Sequence, residues 1–517
     1  MATVVSLIAG DFDVLAARAL RQADLADLVE LRLDRIGHPG EERLRAFMRE
    51  CPKPVIVTLH GGEAFGTFKG SIDERCEILA SAARAGARFV DIDWTLSLEL
   101  GEVEAPCHRI VSRHELEGTP EDLEAIDEEV RAVLYEGDAV KLVTHARCTE
   151  DGLRVLAHLR QARGGLIAFA SGRAGSFTRL LAPIFGSPFT YAAPADLPGQ
   201  EGLEPTAPGQ LRLDELIGQM PPGGLSPETA VFGVVGNPVH HSVSPFVHGM
   251  AMKAAHLDAV YVAFEPTDFE RFLDLASDEQ FRGLSITAPF KEAALARASW
   301  VDEAARTVGA ANTLVRDGAG WRAYNTDLTA VQRSVEAVFP LYAREPGRPV
   351  VPAAARALVL GAGGAARAVV GALRRLDMEV VVAARDLDRG RAMADSVGAS
   401  AVAWDSIPEV EYHLLVNTTP VGGSGGEDGA SPIPMEWIRN GCLVIDAVYR
   451  PIRTPLLAGA RRAGGVAVPG AEWFVRQAEE QYELFTHQKV DDSLLRAAFE
   501  GALGLGLGAS QSGGPEA

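Results

Sequence analysis

Cysteine is scarce in this 517-residue chain, with only Cys51, Cys76, Cys107, Cys148 and Cys442. None forms a Cys-x-x-Cys pair, so zinc and disulfide frameworks are not expected, no metal is implied, and the cytoplasm is the expected compartment. Positive charge is in deficit, 49 Lys and Arg against 70 Asp and Glu, and the net charge of −21 argues against nucleic acid or an anionic membrane as partner. An anionic small substrate would need arginines and lysines gathered locally. Long apolar runs are missing, which excludes a membrane-spanning helix. The N-terminal MATVVSLIAGDFDV has no basic leader and meets Asp11 after one short apolar run, so it reads as a first strand and not as a signal peptide. What remains is an ordinary globular composition, long enough for two to four domains.

Glycine, by contrast, is plentiful, and its placement is informative. In residues 356–376, RALVLGAGGAARAVVGALRRL, an apolar strand breaks at Gly361, Ala362, Gly363, Gly364 and Ala365 and continues as a helix. Glycines between a strand and a helix let the backbone approach a pyrophosphate, whose charge meets the N–H groups and positive end of the helix. The next strand, EVVVAA, ends at Arg385 and Asp386, with Arg389 a turn later. Arginines there suit a ribose 2′-phosphate, and an acid suits a 2′-hydroxyl. The two arginines favour NADP. NAD remains the alternative, unless Asp386 caps the following helix.

Residues 1–195 repeat one unit. Short β-rich runs at Val4–Ala9, Leu28–Leu33, Pro54–Leu59, Phe89–Trp94, Arg109–Ser112, Ala139–Thr144, Leu166–Ala170 and Phe189–Ala192 alternate with helix-like segments. Eight such repeats predict an α/β fold of the (β/α)8 barrel type, with chemistry at the C-terminal strand ends. Glu30 and Arg32 point the same way along the second strand. The fifth ends in Ser112-Arg113-His114, and the sixth carries Lys141 inside AVKLV. A lysine in apolar company is costly to bury as an ammonium, so its pKa is expected to fall and its free amine to attack a ketone. His114 is the candidate base for the protons that an imine makes removable. Lys141 as a gatekeeper on an edge strand is the competing reading, which a closed barrel removes.

This arrangement resembles type I 3-dehydroquinate dehydratase, whose Schiff-base lysine follows a histidine in a Ser-x-His-Asp/Glu motif. The resemblance implies substrate-holding roles for Ser6 in VVSL, Glu30 and Arg32 in VELRLD, Arg179 in TRLLAPIFGS, and Thr206 with Gln210 in TAPGQL. Arg179 would pair with the substrate carboxylate. His60 stands where that family usually has arginine, and Thr206 where it usually has serine. His60 is carried over as a substrate-binding residue.

A Pro- and Gly-rich junction follows, and a new strand, VFGVVG, opens a second region. Its motifs are NPVHHSVSPFVHGM with Ser242 and Ser244, GLSITAPFKEAA with Thr287 and Lys291, GAANTL with Asn312, and AYNTDL with Asn325 and Asp327. Singly, these read as turn residues, a solvated lysine and a helix N-cap. In this order they resemble shikimate dehydrogenase and its quinate-using relatives, which implies a two-lobed unit: an α/β substrate domain plus a Rossmann NADP domain. Hydride delivery to a ketone leaves an oxyanion that needs a proton, and a Lys291–Asp327 pair can supply it. Ser242, Ser244, Thr287, Asn312, Tyr449 and Gln477 would hold the substrate. Asn417, Thr418, Ala447 and Gly470 would border the nicotinamide side, with Gly361 to Ala365, Arg385 and Arg389 on the phosphates. Ser285, Ala384, Asp386 and Trp473 depart from the family's asparagine, asparagine, threonine and methionine.

The expected boundaries are 1–222 for the dehydratase barrel, 223–230 for a linker, and 231–345 with 471–500 for the substrate domain. Residues 346–470 form the Rossmann domain and 501–517 a flexible tail. The implied function is bifunctional: 3-dehydroquinate to 3-dehydroshikimate in the barrel, then NADPH-dependent reduction to shikimate. Two alternatives stay open, a quinate/shikimate dehydrogenase with a weakened barrel and a catalytically silent metabolite sensor.

Overall fold

The computed structural model describes residues 2–62, 66–344, 355–423 and 429–504, with the side chains of 339–344 left aside. The chain divides into two compact units. One holds Met1–Ala230, His256–Val260 and Phe264–Gln280; the other holds Val231–Ala255, Tyr261–Ala263 and Phe281–Ala517.

Eight parallel strands, β1 (Ala2–Ile8), β2 (Leu28–Arg32), β3 (Val55–Thr58), β4 (Phe89–Asp93), β5 (His108–Glu115), β6 (Ala139–His145), β7 (Leu166–Ser171) and β8 (Phe189–Ala192), form the barrel. Their order is β7-β6-β5-β4-β3-β2-β1-β8. Among the described residues no ladder joins β7 to β8, so the closed barrel expected from the sequence is nearly closed. Lys141 is nevertheless interior to the sheet, because β6 pairs with both β5 and β7. Side chains alternate along each strand, and the inward set begins with an apolar floor of Val4, Leu28, Ile56, Ile110 and Ile167. Two residues further along each strand come Ser6, Glu30, Thr58, Asp91, Ser112, Lys141, Phe169 and Tyr191, so a polar layer sits directly on the oily one.

A six-stranded mixed sheet follows, with β9 (Ala230–Val235), β10 (Ala259–Phe264), β11 (Phe281–Ile286), β12 (Trp300–Val301), β13 (Thr313–Asp317) and β14 (Gly320–Tyr324) in the order β10-β9-β11-β13-β14-β12. The last sheet is parallel: β15 (Arg356–Leu360), β16 (Glu379–Ala384), β17 (Ser400–Ala403), β18 (Leu414–Asn417), β19 (Leu443–Asp446) and β20 (Val466–Val468), ordered β17-β16-β15-β18-β19-β20. That is a doubly wound sheet with its switch point between β15 and β18, where dinucleotides bind. The helix Gly470–Thr486 packs along the helix Thr326–Arg344.

The expected flexible tail is corrected at its start. The helix Asp492–Gly504 runs through residues 501–504 because Leu495, Ala498, Phe499 and Ala502 bury one face; the rest of that tail, and the 345/346 boundary, lie outside the described residues. Among the described residues no helix is long and apolar enough to cross a membrane.

Candidate active sites

In the barrel, Glu30, Arg32, His114, Lys141, Arg179, Thr206 and Gln210 line one cavity of about 30 Å³. Ser6 lies behind it: its hydroxyl donates to the Glu30 carboxylate and accepts from Thr206 Oγ1 at 2.7 Å. Thr58 Oγ1 donates to the other Glu30 oxygen at 2.6 Å. Gln210 Oε1 accepts from the backbone N–H of Thr206 and Ala207, which fixes the loop carrying Thr206. Arg32 is held by Asp34, with Nε 3.0 Å from Oδ2. Burial alone would lower the Arg32 pKa, yet Asp34 and Glu30 raise it.

Lys141 departs from the sequence expectation. Val140 and Leu142 beside it are apolar but point the other way along the strand, and its Nζ lies 2.7 Å from Asp91 Oδ2 and 4.6 Å from the centre of the Tyr191 ring. Asp91 was missed. It lies in FVDID on β4 with the same inward parity as Lys141, and that alternation is the signal that could have found it. Burial would push the Asp91 carboxyl up, but Lys141 and His60 hold it well below the usual carboxylate range. Ser112 also donates to it. The buried ammonium therefore has a buried counter-ion.

His60 is corrected as well. Its ring is buried and does not border the cavity. Nε2 lies 3.2 Å from Asp91 Oδ1, the ring stands edge-on to His114 with centres 5.3 Å apart, and the backbone N–H donates to Asp34. His114 does face the cavity, and burial, reinforced by His60 and Lys141, keeps its imidazole well below the ordinary histidine pKa. It is a neutral base close to a lysine.

Arg179 is 1% exposed, with its Cζ 4.3 Å from the centre of the Phe169 ring. One weak bond joins Nη1 to the Tyr191 carbonyl at 3.4 Å, and among the described residues Nε and Nη2 have no hydrogen-bond partner. Burial pushes its pKa down to about 9 despite Glu30. A buried guanidinium with open N–H groups beside a cavity is matched to a carboxylate.

The second site is a cavity of about 260 Å³ lined by Ser242, Ser244, Thr287, Lys291, Asn312, Asp327, Tyr449 and Gln477, with Ala365, Ala447, Gly470 and Trp473 toward the parallel sheet. Lys291 Nζ is 2.6 Å from Asp327 Oδ2. Asp327 is free for this because the cap of its helix comes from Asn325, whose Oδ1 accepts from the Leu328 N–H. Ser285 and Gln481 line the cavity too. The Tyr261 hydroxyl donates to Ser285, Ser285 to Gln481 Oε1, and Gln481 Nε2 to the Asn312 carbonyl and Thr313. Gln481 was missed, although it lies one turn beyond Gln477 on the same helix face.

At the end of β15, Gly361 adopts φ +106°, and a Cβ there would fall 2.8 Å from Thr418 Oγ1. Thr418 itself donates to the Leu360 carbonyl. The helix Gly364–Arg375 has no side-chain cap, so its first N–H groups face outward, and Gly364 would bring a Cβ within 3.2 Å of Lys291. These features fit a pyrophosphate next to the lysine. Arg385 and Arg389 are exposed at the tip of β16, and among the described residues no carboxylate holds either guanidinium. Asp386 caps the helix Leu387–Val397 by accepting from the Arg389 N–H at 3.1 Å. Asn417 does not reach the cavity. It is fully buried, donating to Asp446 and accepting from Thr419, so the cofactor contact expected of it is replaced by support of the turn.

Two family models match the chain: type I 3-dehydroquinase over residues 3–220, and the shikimate dehydrogenase substrate binding domain over residues 234–314. The chain is similar to the chloroplastic bifunctional 3-dehydroquinate dehydratase/shikimate dehydrogenase of Arabidopsis thaliana, with 32% identity over 483 residues, covering 89% of this chain and 78% of the relative. It is also similar to shikimate dehydrogenase (NADP(+)) of Syntrophobacter fumaroxidans, 33% identical over 53% of this chain and 94% of the relative. Among solved structures, the shikimate 5-dehydrogenase of Thermus thermophilus in complex with NADP(H) and shikimate is 35% identical, covering 53% of this chain and 99% of that one, with a TM-score of 0.47.

Proposed function

Because the chain belongs to the family of bifunctional 3-dehydroquinate dehydratase/shikimate dehydrogenases, we infer that its two cavities run consecutive steps of the shikimate pathway. The barrel dehydrates 3-dehydroquinate to 3-dehydroshikimate, and the second cavity reduces that product to shikimate with NADPH. The observation that carries this reading is a primary amine paired with a carboxylate in each cavity, one beside a neutral histidine and the other beside a glycine-rich dinucleotide turn.

In the barrel, Arg179 takes the substrate carboxylate, and Lys141 Nζ adds to the ketone and expels its oxygen as water. Asp91, already a counter-ion to the ammonium, remains one to the cationic imine. His114 removes the proton from the adjacent carbon and returns it to the departing hydroxyl, which leaves as water. Hydrolysis of the imine then frees Lys141. Glu30, Thr206 and Gln210 hold substrate hydroxyls, with Ser6 behind them bonded to Glu30 and Thr206.

In the second cavity, bound NADPH supplies the hydride. Lys291 donates a proton to the oxygen of the ketone, and Asp327 orients the ammonium and restores its charge balance. Ser242 and Ser244 hold the carboxylate; Thr287, Asn312, Tyr449 and Gln477 hold hydroxyls, and such contacts reject analogues lacking them. The turn Gly361 to Ala365 seats the pyrophosphate, Thr418, Ala447 and Gly470 border the nicotinamide side, and Arg385 with Arg389 takes the 2′-phosphate. Residues 1–222 form the dehydratase region, 231–345 with 471–500 the substrate lobe, and 346–470 the dinucleotide lobe. Five cysteines without a disulfide favour the cytoplasm.

Purified protein given 3-dehydroquinate should accumulate the conjugated enone, and adding NADPH should then consume the nucleotide and yield shikimate. Borohydride added during the first step should leave a stable mass increment on the Lys141 peptide. Turnover without that increment would overturn the imine route, and absence of NADPH consumption would overturn the second activity.

A further inference from the structure

Trp473 lies on the first turn of the helix Gly470–Thr486, 6% exposed, in the apolar core that includes Ala366 and Val369 of the dinucleotide helix. Its indole Nε1–H donates to Asp327 Oδ1 at 3.2 Å, while Asp327 Oδ2 takes Lys291 at 2.6 Å. The carboxylate is thus gripped at both oxygens, by the ammonium on one side and by a rigid neutral donor on the other. Trp473 also lines the cavity with Lys291 and Asp327.

Resting on the dehydrogenase reading of this cavity, we propose that Trp473 is a positioning residue for the Lys291–Asp327 proton-transfer pair. The donor must come from a side chain that cannot drift. An indole wedged in the core meets that need, whereas a longer aliphatic side chain would fill the space but donate nothing. Without the N–H, Asp327 Oδ1 is left buried and unpaired, and the carboxylate can rotate about its own axis and carry the lysine Nζ with it. The indole hydrogen bond does not reach the substrate, so its loss acts on the chemical step and not on binding.

Trp473→Phe keeps an aromatic side chain but loses the five-membered ring together with the donor; Trp473→Met keeps neither aromatic ring nor donor. Both are assayed in the full chain for NADPH-dependent reduction of 3-dehydroshikimate, with dehydratase turnover by the same polypeptide as the check on folding. The expected result for Trp473→Phe is a fall in kcat of roughly tenfold with KM for both substrates within about twofold, and a larger solvent deuterium isotope effect as proton delivery becomes limiting. In an Asp327→Asn background the same substitution should cost less than it does alone. An unchanged kcat, a rise in KM alone, or equal losses in both backgrounds would overturn the indole's role. An inactive wild type would overturn the reading of the cavity and this inference with it.

Discussion

The two cavities use nearly the same pair for opposite ends. Lys141–Asp91 spans 2.7 Å with side chains 7% and 0% exposed, and Lys291–Asp327 spans 2.6 Å with 16% and 10%. On the proposed mechanism the first lysine gives up its proton to attack carbon and the second delivers a proton to oxygen. The distinction lies in the third groups. Around Lys141 stand His114 as a neutral base, an unpaired Arg179 and a tightly filled cavity. Around Lys291 stand hydroxyls, an amide network and the glycine turn, in a far roomier cleft. A lysine–carboxylate distance therefore says little about mechanism until its neighbours are counted.

Crossing the two lysines breaks the comparison most sharply. Lys141→Ala should lower dehydratase turnover by about 10⁴-fold or more and leave dehydrogenase turnover within twofold, and Lys291→Ala should do the reverse with a loss of about 10³-fold. Steady-state assays of each activity in each variant check this, and a matching loss of both activities in either variant would mean that the fold had failed. Next comes Arg179→Met, which removes a buried cation whose Nε and Nη2 hydrogens are open and whose Nη1 makes one weak bond, to the Tyr191 carbonyl. It should cut dehydratase kcat/KM by roughly 10²-fold and raise Tm, because the lone guanidinium is costly until a carboxylate arrives. Calorimetry showing a lower Tm would contradict this. Arg385→Ala, at an exposed site, should raise KM for NADPH about tenfold and leave KM for NADH unchanged within twofold.

The smallest effect concerns pH. The His114 base works when neutral, and its pKa is held well below 6.5. Dehydratase kcat/KM should therefore stay flat as pH falls through 6.5 and decline only at more acidic pH; a midpoint at or above 6.5 would contradict this. For stability the sign is the same. The unfolded chain takes up the proton first, so the contribution of this histidine to folding is full above pH 6.5 and fades below it.

Much of this was legible in the residues. The eight strands fell where β-rich runs recur, because buried parallel strands must be short and apolar. Glu30 and Lys141 stood out because charged side chains inside such runs have few bland uses, whereas Lys291 and Asp327, which lie on helices, drew notice only through the order of their motifs. Asp91 was not legible, since a strand written FVDID looks merely half polar until its register against β5 places Asp91 inside. Asn417 was misread for a related reason: a polar residue at a strand end serves a ligand or a turn equally well, and only Asp446 and Thr419 decide which. His60 was assigned by its position in the chain, and in the fold its ring turns to Asp91 and His114.

Asp386 carries a wider lesson for anyone classifying or redesigning such enzymes. An acid at the tip of the second strand is the customary mark of a coenzyme without the extra phosphate, and if the proposed coenzyme holds, a reader of that single letter would sort this protein into the wrong group. One of its oxygens, Oδ1, is already engaged in starting a helix. Switching the coenzyme would thus take more than deleting arginines, because the helix would have to find another way to begin.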